Sequence, residues 1–261
     1  MTISVSRPAP RVAQLTIDRD EKRNALNTEV CTSLERALSD SLIDARAILI
    51  TGAGSAFCSG ADLSGGEVGE FYPAMESLFM SIRRAPVPVI AYVNGPAIGA
   101  GAMLVAVCDL RVVSPTARFM VPVADMAIGV NDVLVKSFEL QMGGSLARAM
   151  LLAGATMSAS DADATGFAVR PSMFPRLELP GGGVGSEAHD SAEFAVALAE
   201  LCAGKAPLTM RNVKMEFAHF SGERFSESEL ESARQAPWDS ADIREAARAV
   251  AEKRTPEFRG E

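Results

Sequence analysis

The stretch from Val87 to Asp109, VPVIAYVNGPAIGAGAMLVAVCD, limits the folds open to this chain more than any other. Its apolar, β-branched opening predicts a buried strand, NGPAIGAG a tight loop, and AMLVAVC an apolar helix ending near Asp109. Gly95, Gly99 and Gly101 let the loop turn sharply and bring its backbone against a ligand with no side chain between them. The first turn of the following helix carries amide N–H groups that have no partner inside the helix. Those donors, with the positive end of the helix dipole, suit an anion or a carbonyl oxygen gaining negative charge. A close-packed glycine turn in a core would use the same residues.

The rest of the chain repeats the strand–helix alternation. Residues 12–17 and 47–51 read as strands, and Asn27 or Thr28 caps a helix running to about Leu42. The second strand enters another glycine-rich loop, GAGSAFCSGADLSGG, followed by a helix over 71–82. Beyond the central stretch come a strand over 110–113 and an extended segment or strand over 119–128. Helices then begin at Asn131-Asp132 (to about Gln141) and cover 145–152 and 158–165. Segments 191–201, 207–219 and about 240–254 are helical, while 171–189, with PGGGVGS, reads as a surface loop. The pattern predicts an α/β core over 1–190 and a helical region over 191–261.

With 261 residues, 48% of them apolar, the chain can bury one large core and a smaller appendage. No apolar run reaches the length of a membrane span, and MTISVSRPAPR lacks a secretory pattern, so a cytoplasmic protein is expected. A net charge of -8 without a basic cluster argues against nucleic acid as a partner. Cys31, Cys58, Cys108 and Cys202 are scattered with no CxxC, which fits reduced thiols and no metal site. His189 and His219 lie far in sequence from the glycine loops and give a Ser–His or Cys–His nucleophile little support.

Neither loop matches GxxxxGK[ST], and Gly52-Ala53-Gly54 continues into Ser55-Ala56-Phe57, so GxGxxG is missing too. Two backbone loops, each following a strand, can instead offer one N–H apiece to a single oxygen. A thioester carbonyl turning into an enolate or tetrahedral oxyanion needs two such donors, and losing one costs roughly 3 kcal/mol in comparable sites.

KRNALN (22–27), AILITGAGSAFCSGADL (47–63), PVIAYVNGPAIGAG (88–101), CDLRVV (108–113) and LARAMLLAG (146–154) fall in the order and spacing of one family. The sequence resembles the enoyl-CoA hydratase/isomerase (crotonase) superfamily over nearly its whole length. That resemblance implies a spiral of ββα turns, a helical C-terminal trimerisation region and a CoA thioester bent into the core. It implies a homotrimer or a dimer of trimers, with no cofactor beyond the CoA that the ligand carries. The oxyanion hole would be the N–H groups of Ala61 and Ala100, with Gly99 beside them. Backbone around Lys22, Arg23, Ala25 and Leu26, and around Ala61, Asp62 and Leu63, would hold adenine and pantetheine. Arg23 would reach a CoA phosphate, and Lys253 resembles the lysine that contacts the CoA phosphate of a neighbouring subunit. A solvated loop charge and a helix-end lysine are the alternatives.

The catalytic pair departs from the family. Hydratases of this kind use two glutamates, and the first position here is Met103, which cannot move a proton. Direct counting puts Val123 at the second position, whereas counting back from Gly129 puts Asp125 there. Asp132 resembles the attacking aspartate of aroyl-CoA dehalogenases, with a helix N-cap as the alternative. Glu76 either reaches the expected acyl pocket or takes an outer helix face, and Glu139 reads as solvent-facing or paired. Met75, Met80, Met103, Met120 and Met126 either line a flexible acyl channel or fill the core. Two functions stay open: isomerase- or hydratase-like chemistry through a single aspartate, or an acyl-CoA-binding protein of fatty-acid metabolism without the catalytic pair. Met103 favours the second, and the sequence resembles an acyl-CoA-binding subgroup lacking both glutamates in RAILITG, GPAIGAG, ARAMLL and KRTPEF.

Overall fold

Strands β1 (Ile3–Ala9) and β2 (Val12–Ile17) form an antiparallel hairpin. Strands β3 (Ala47–Gly52), β4 (Val89–Val93) and β6 (Leu110–Val113) continue it in parallel, in the order β1-β2-β3-β4-β6. The computed structural model describes residues 2–62, 68–177 and 190–261. Strand β1 was not anticipated because it is an edge strand with mostly exposed side chains and a proline, so its sequence lacks a buried face. Every residue of β3 is buried, as expected of a central parallel strand covered on both sides.

Period-two alternation divides the sheet residues between two cores. Leu15, Ile17, Ile48, Ile50 and Val93 pack with the connecting helices α1 (Thr28–Ser41), α2 (Val68–Arg84) and α3 (Ala100–Val107). On the other face, Val12, Leu49, Ile90 and Val112 meet Phe194, Leu198 and Ala199 of α7 (Ser191–Ala203). The first C-terminal helix is therefore the back cover of the sheet. Asn27 caps α1, accepting a hydrogen bond from the Val30 N–H at 2.9 Å.

A small second sheet, β5 (Ala97–Ile98), β7 (Arg118–Met120) and β8 (Met157–Ser158), carries the central glycine loop. The extended run expected over 119–128 stops at Met120. Pro122 cannot donate to a ladder, and the turns that follow include a left-handed Ala127. Helices α4 (Asp132–Met142), α5 (Gly144–Ala153) and α6 (Ala159–Thr165) pack beyond it. Of the loop expected over 171–189, a 3-10 turn at Pro171–Met173 is described, and 178–189, with His189, lie outside the described residues. The chain closes with α8 (Pro207–Phe220), α9 (Glu227–Asp239) and α10 (Ala241–Glu252). Helix α9 buries one residue, Leu230, so its apolar periodicity was too weak to read; its sequence signal is the Ser226/Glu229 capping box. The α/β core and the helical C-terminal region are as expected. Among the described residues no helix is long and apolar enough to cross a membrane.

Candidate functional site

Segments 19–26 and 59–62 form a short parallel pairing around the bridge between Leu26 and Ala61. The Leu26 N–H donates to Gly60 O at 2.8 Å, the Asp62 N–H to Leu26 O at 2.7 Å, and the Ser59 N–H to Arg23 O at 3.0 Å. In such a ladder Ala61 directs its own N–H away from Leu26. Lys22, Arg23, Ala25, Leu26, Ala61 and Asp62 are thus drawn together from both predicted segments; Leu63 lies outside the described residues. Arg23 and Asn24 are both left-handed (φ 49° and 58°), which turns the chain back after the 3-10 helix Asp20–Lys22.

Three side chains unforeseen from sequence lock this arrangement. Asn24 is fully buried; its amide donates to Ala53 O and Ala56 O at 2.8 Å each, and its Oδ1 accepts from the Arg19 N–H. Asn94 holds the same turn from the other side, through Gly54 O at 2.9 Å and the Gly52 N–H at 3.3 Å. Arg19 links the two segments, donating to Ala25 O at 2.6 Å and pairing with Asp62 at 3.1 Å. The signal was available, since asparagine beside a glycine turn supplies donor and acceptor at once and tolerates left-handed backbone.

The two glycine loops meet backbone to backbone. Cys58 bridges Ala97, with the Ile98 N–H donating to Cys58 O at 2.9 Å. A β-carbon on Gly60 would lie 3.1 Å from Ile98 O and 3.9 Å from the Ala100 nitrogen. Gly99 enters α3 at φ 52°, its N–H held by Met120 O at 2.8 Å. All eight residues of α3 are buried and its N-cap contributes no side-chain bond. The first backbone bond into the helix comes from the Met103 N–H to Gly99 O, so among the described residues the N–H groups of Ala100, Gly101 and Ala102 have no acceptor. Ala61 has none either. A buried helix start without acceptors is a place for an incoming oxygen.

The four cysteines are free and buried. Burial pushes the Cys31, Cys58 and Cys108 thiols up to about 12 and Cys202 up to about 11. The native protein should react slowly with a thiol reagent at about pH 8 and release all four thiols in denaturant. The unfolded chain sheds these protons first, so the stability they contribute is full below about 9 and falls as pH climbs toward 12. Urea midpoints across that window, set against fast labelling of the native state, test this.

The family model for enoyl-CoA hydratase/isomerase matches residues 9–261. The chain belongs to the enoyl-CoA hydratase/isomerase family. It is 34% identical over 258 residues to "Probable enoyl-CoA hydratase echA6" of Mycobacterium leprae, covering 97% of each chain. Among solved structures it resembles an enoyl-CoA hydratase/carnithine racemase from Magnetospirillum magneticum (TM-score 0.83, 27% identity, 100% of this chain and 96% of that one). It also resembles a "probable enoyl-CoA hydratase/isomerase" from Mycobacterium abscessus (TM-score 0.81, 28% identity, both chains fully covered).

Within this family fold, Met103 and Val123 are each 6% exposed and belong to one buried apolar cluster. Asp125, in contrast, lies exposed in a turn, its Oδ2 near Gly154. Asp132 is not the N-cap of α4: Asn131 is, accepting from the Leu134 N–H at 3.0 Å. Asp132 is the first helical residue, exposed and paired with Lys136 at 3.0 Å, which holds its carboxyl below the usual range. Glu76 is exposed and accepts from Asn131, while Glu139 pairs with Arg148 at 2.9 Å. The buried carboxylates among the described residues are Glu223 and Asp242, in the C-terminal region. Of the five methionines considered for an acyl channel, Met103 is buried, Met75, Met80 and Met120 are partly buried, and Met126 is exposed. Lys253 is exposed as the left-handed cap of α10, with no hydrogen bond or ion pair to residues 22–26 or 59–62. Among the described residues no group of three or more His, Cys, Asp or Glu side chains is arranged to hold a metal ion.

Proposed function

We propose that this chain binds an acyl-CoA or enoyl-CoA thioester with its carbonyl oxygen between the N–H groups of Ala61 and Ala100. The observation that carries this reading is the buried, acceptor-free start of α3 pressed against the Gly60–Ala61 backbone. Neutral N–H donors fixed in a water-poor pocket stabilise a carbonyl oxygen without reorganising. The folded segment 22–26 beside Ala61 offers backbone carbonyls and amides for the adenine and pantetheine, with Arg23 and the cap residue Lys253 as cations for CoA phosphates. CoA arrives with the ligand, and no separate cofactor is required. The cytoplasm is the compartment that suits such a ligand and four free thiols.

Between the two functions, the buried environment favours binding. Proton transfer at the α-carbon needs an acid or base within reach of the thioester. Met103 is a buried apolar side chain at the first place, and of the two candidates for the second Val123 is buried and Asp125 exposed, as is Asp132. A single aspartate, Asp125 or Asp132, would be the route to isomerase-like chemistry, so activity is decided by product analysis. Titration with saturated and unsaturated acyl-CoAs should give binding without conversion, and hydration of crotonyl-CoA near background. Efficient turnover abolished by Asp125→Asn or Asp132→Asn would replace the binding function with single-aspartate catalysis; failure of any acyl-CoA to bind would sink the reading altogether.

Assembly is part of the proposal. Val213, Phe217 and Phe220 share one face of α8, and Leu140 of α4 lies in the same hollow. Phe217 is 68% exposed and Phe220 73%. Aromatic rings left so open on one face mark a contact surface. A homotrimer or dimer of trimers is expected by light scattering, with Phe217→Glu/Phe220→Glu shifting the mass toward the monomer. A wild-type monomer would refute it.

A further inference from the structure

The C-terminal helices close a second cavity, of about 530 Å3, against the end of α2. Arg83 and Arg84 of α2, Arg211 and Lys214 of α8, and Arg224 before α9 line it, against one lining carboxylate, Glu229. It shares no lining residue with the glycine loops.

The charges around this cavity do not cancel. Lys214 is neutralised by Asp109 at 2.6 Å. A single carboxylate, Glu223, serves both Arg83 and Arg84. Glu229 is engaged with Ser226 in the capping box of α9, which also closes that helix start to an outside anion. Arg211 and Arg224 are exposed and, among the described residues, have no ion pair or hydrogen bond. A surplus of guanidinium groups thus faces one hollow in a chain whose net charge is -8. Like charges gathered this way repel unless a counter-anion sits among them.

A second observation comes from Arg83, whose side chain is 9% exposed. Its Nε is paired with Glu223 and its Nη1 donates to Ser137 Oγ at 3.0 Å, but Nη2 is buried with no partner. A buried, charged N–H without an acceptor is costly, and with no accessible surface of its own Nη2 meets an anion in the cavity only if the Arg83–Glu223 pair shifts. Guanidinium forks match phosphoryl oxygens two at a time, and a polyphosphate offers more such oxygens than the two of one carboxylate. We propose that this cavity is a binding site for a polyphosphate-class anion, held by the exposed Arg211 and Arg224 together with the half-exposed Arg84, and with the buried Arg83 behind them.

Calorimetric titration of the full chain with inorganic pyrophosphate at low ionic strength tests the site, with the melting temperature as a second readout. One pyrophosphate per chain and a raised melting temperature are expected. Arg211→Ala/Arg224→Ala should weaken binding at least about tenfold, and Arg211→Glu should do so by reversing a charge. Both positions are exposed and unpaired, so the variants keep the wild-type melting temperature without ligand. Acyl-CoA affinity should change less than about twofold, which separates this site from the glycine loops whatever the outcome there. No heat and no melting shift with wild type, or equal pyrophosphate binding by the double variant, would overturn the proposal.

Discussion

A Gly101→Ala variant is expected to lose acyl-CoA affinity by at least about 100-fold, because it forces apart the two loops that meet at the start of α3. The added β-carbon would lie 2.4 Å from Cys58 O and 2.8 Å from Cys58 Cβ, far inside van der Waals contact. The nearer atom is backbone and cannot rotate away, so segment 58–61 must shift, and Ala61 moves relative to Ala100. Overpacking of this kind also costs roughly 1–3 kcal/mol of stability. Gly69→Ala is the control: its β-carbon meets nothing within 4 Å, and alanine is the better helix former. Chemical denaturation and acyl-CoA titration of both variants read the two effects separately. Wild-type affinity in Gly101→Ala would show that the loops do not act as one site.

Lys214→Ala is expected to be the most destabilising single change in the C-terminal region, by about 2–3 kcal/mol, because the ammonium is buried although its partner Asp109 is 29% exposed. Lys214 is 7% exposed, and its ammonium donates to Val87 O at 2.9 Å, Ile82 O at 3.2 Å and Asp109 Oδ2 at 2.6 Å. Asp109 Oδ2 also accepts from the Val89 N–H at 2.7 Å. One side chain on α8 therefore ties the end of α2, the start of β4 and the α3–β6 junction together. Removing it leaves two carbonyls and a carboxylate short of a donor. Lys214→Met preserves volume and should cost less than alanine but still more than about 1 kcal/mol. A Lys214→Ala urea midpoint within error of wild type would place the anchoring of α8 in its apolar contacts alone.

How far the chain could be read in advance depended on whether the controlling physics was local. The central loop was legible because Gly99, at φ 52°, and Gly101, pressed against Cys58, sit where a side chain is excluded. The α1 cap was legible because asparagine at that place is a local hydrogen-bonding choice. Asp132 was misplaced by one residue because Asn131, beside it, makes the better cap, and only geometry chooses between two adjacent capping residues. The choice between Val123 and Asp125 was also beyond counting. Turns after Met120 decide which of them is buried, and they bury Val123 and expose Asp125. The clamps made by Asn24, Asn94 and Arg19 join segments up to 43 residues apart, so no local pattern announces them.

What the amino-acid order determined by itself is the family, the α/β alternation and the two glycine loops, since these rest on periodicity and on backbone freedom at single residues. The tertiary structure decided where charge goes. Asp125 and Asp132 remain at the surface while Met103 and Val123 are enclosed. Five cations from three separated stretches, none of them a basic run in sequence, converge on one cavity. Burial and electrostatic surplus are properties of neighbours in space, and packing of α8 against both α2 and α9 brings those neighbours together.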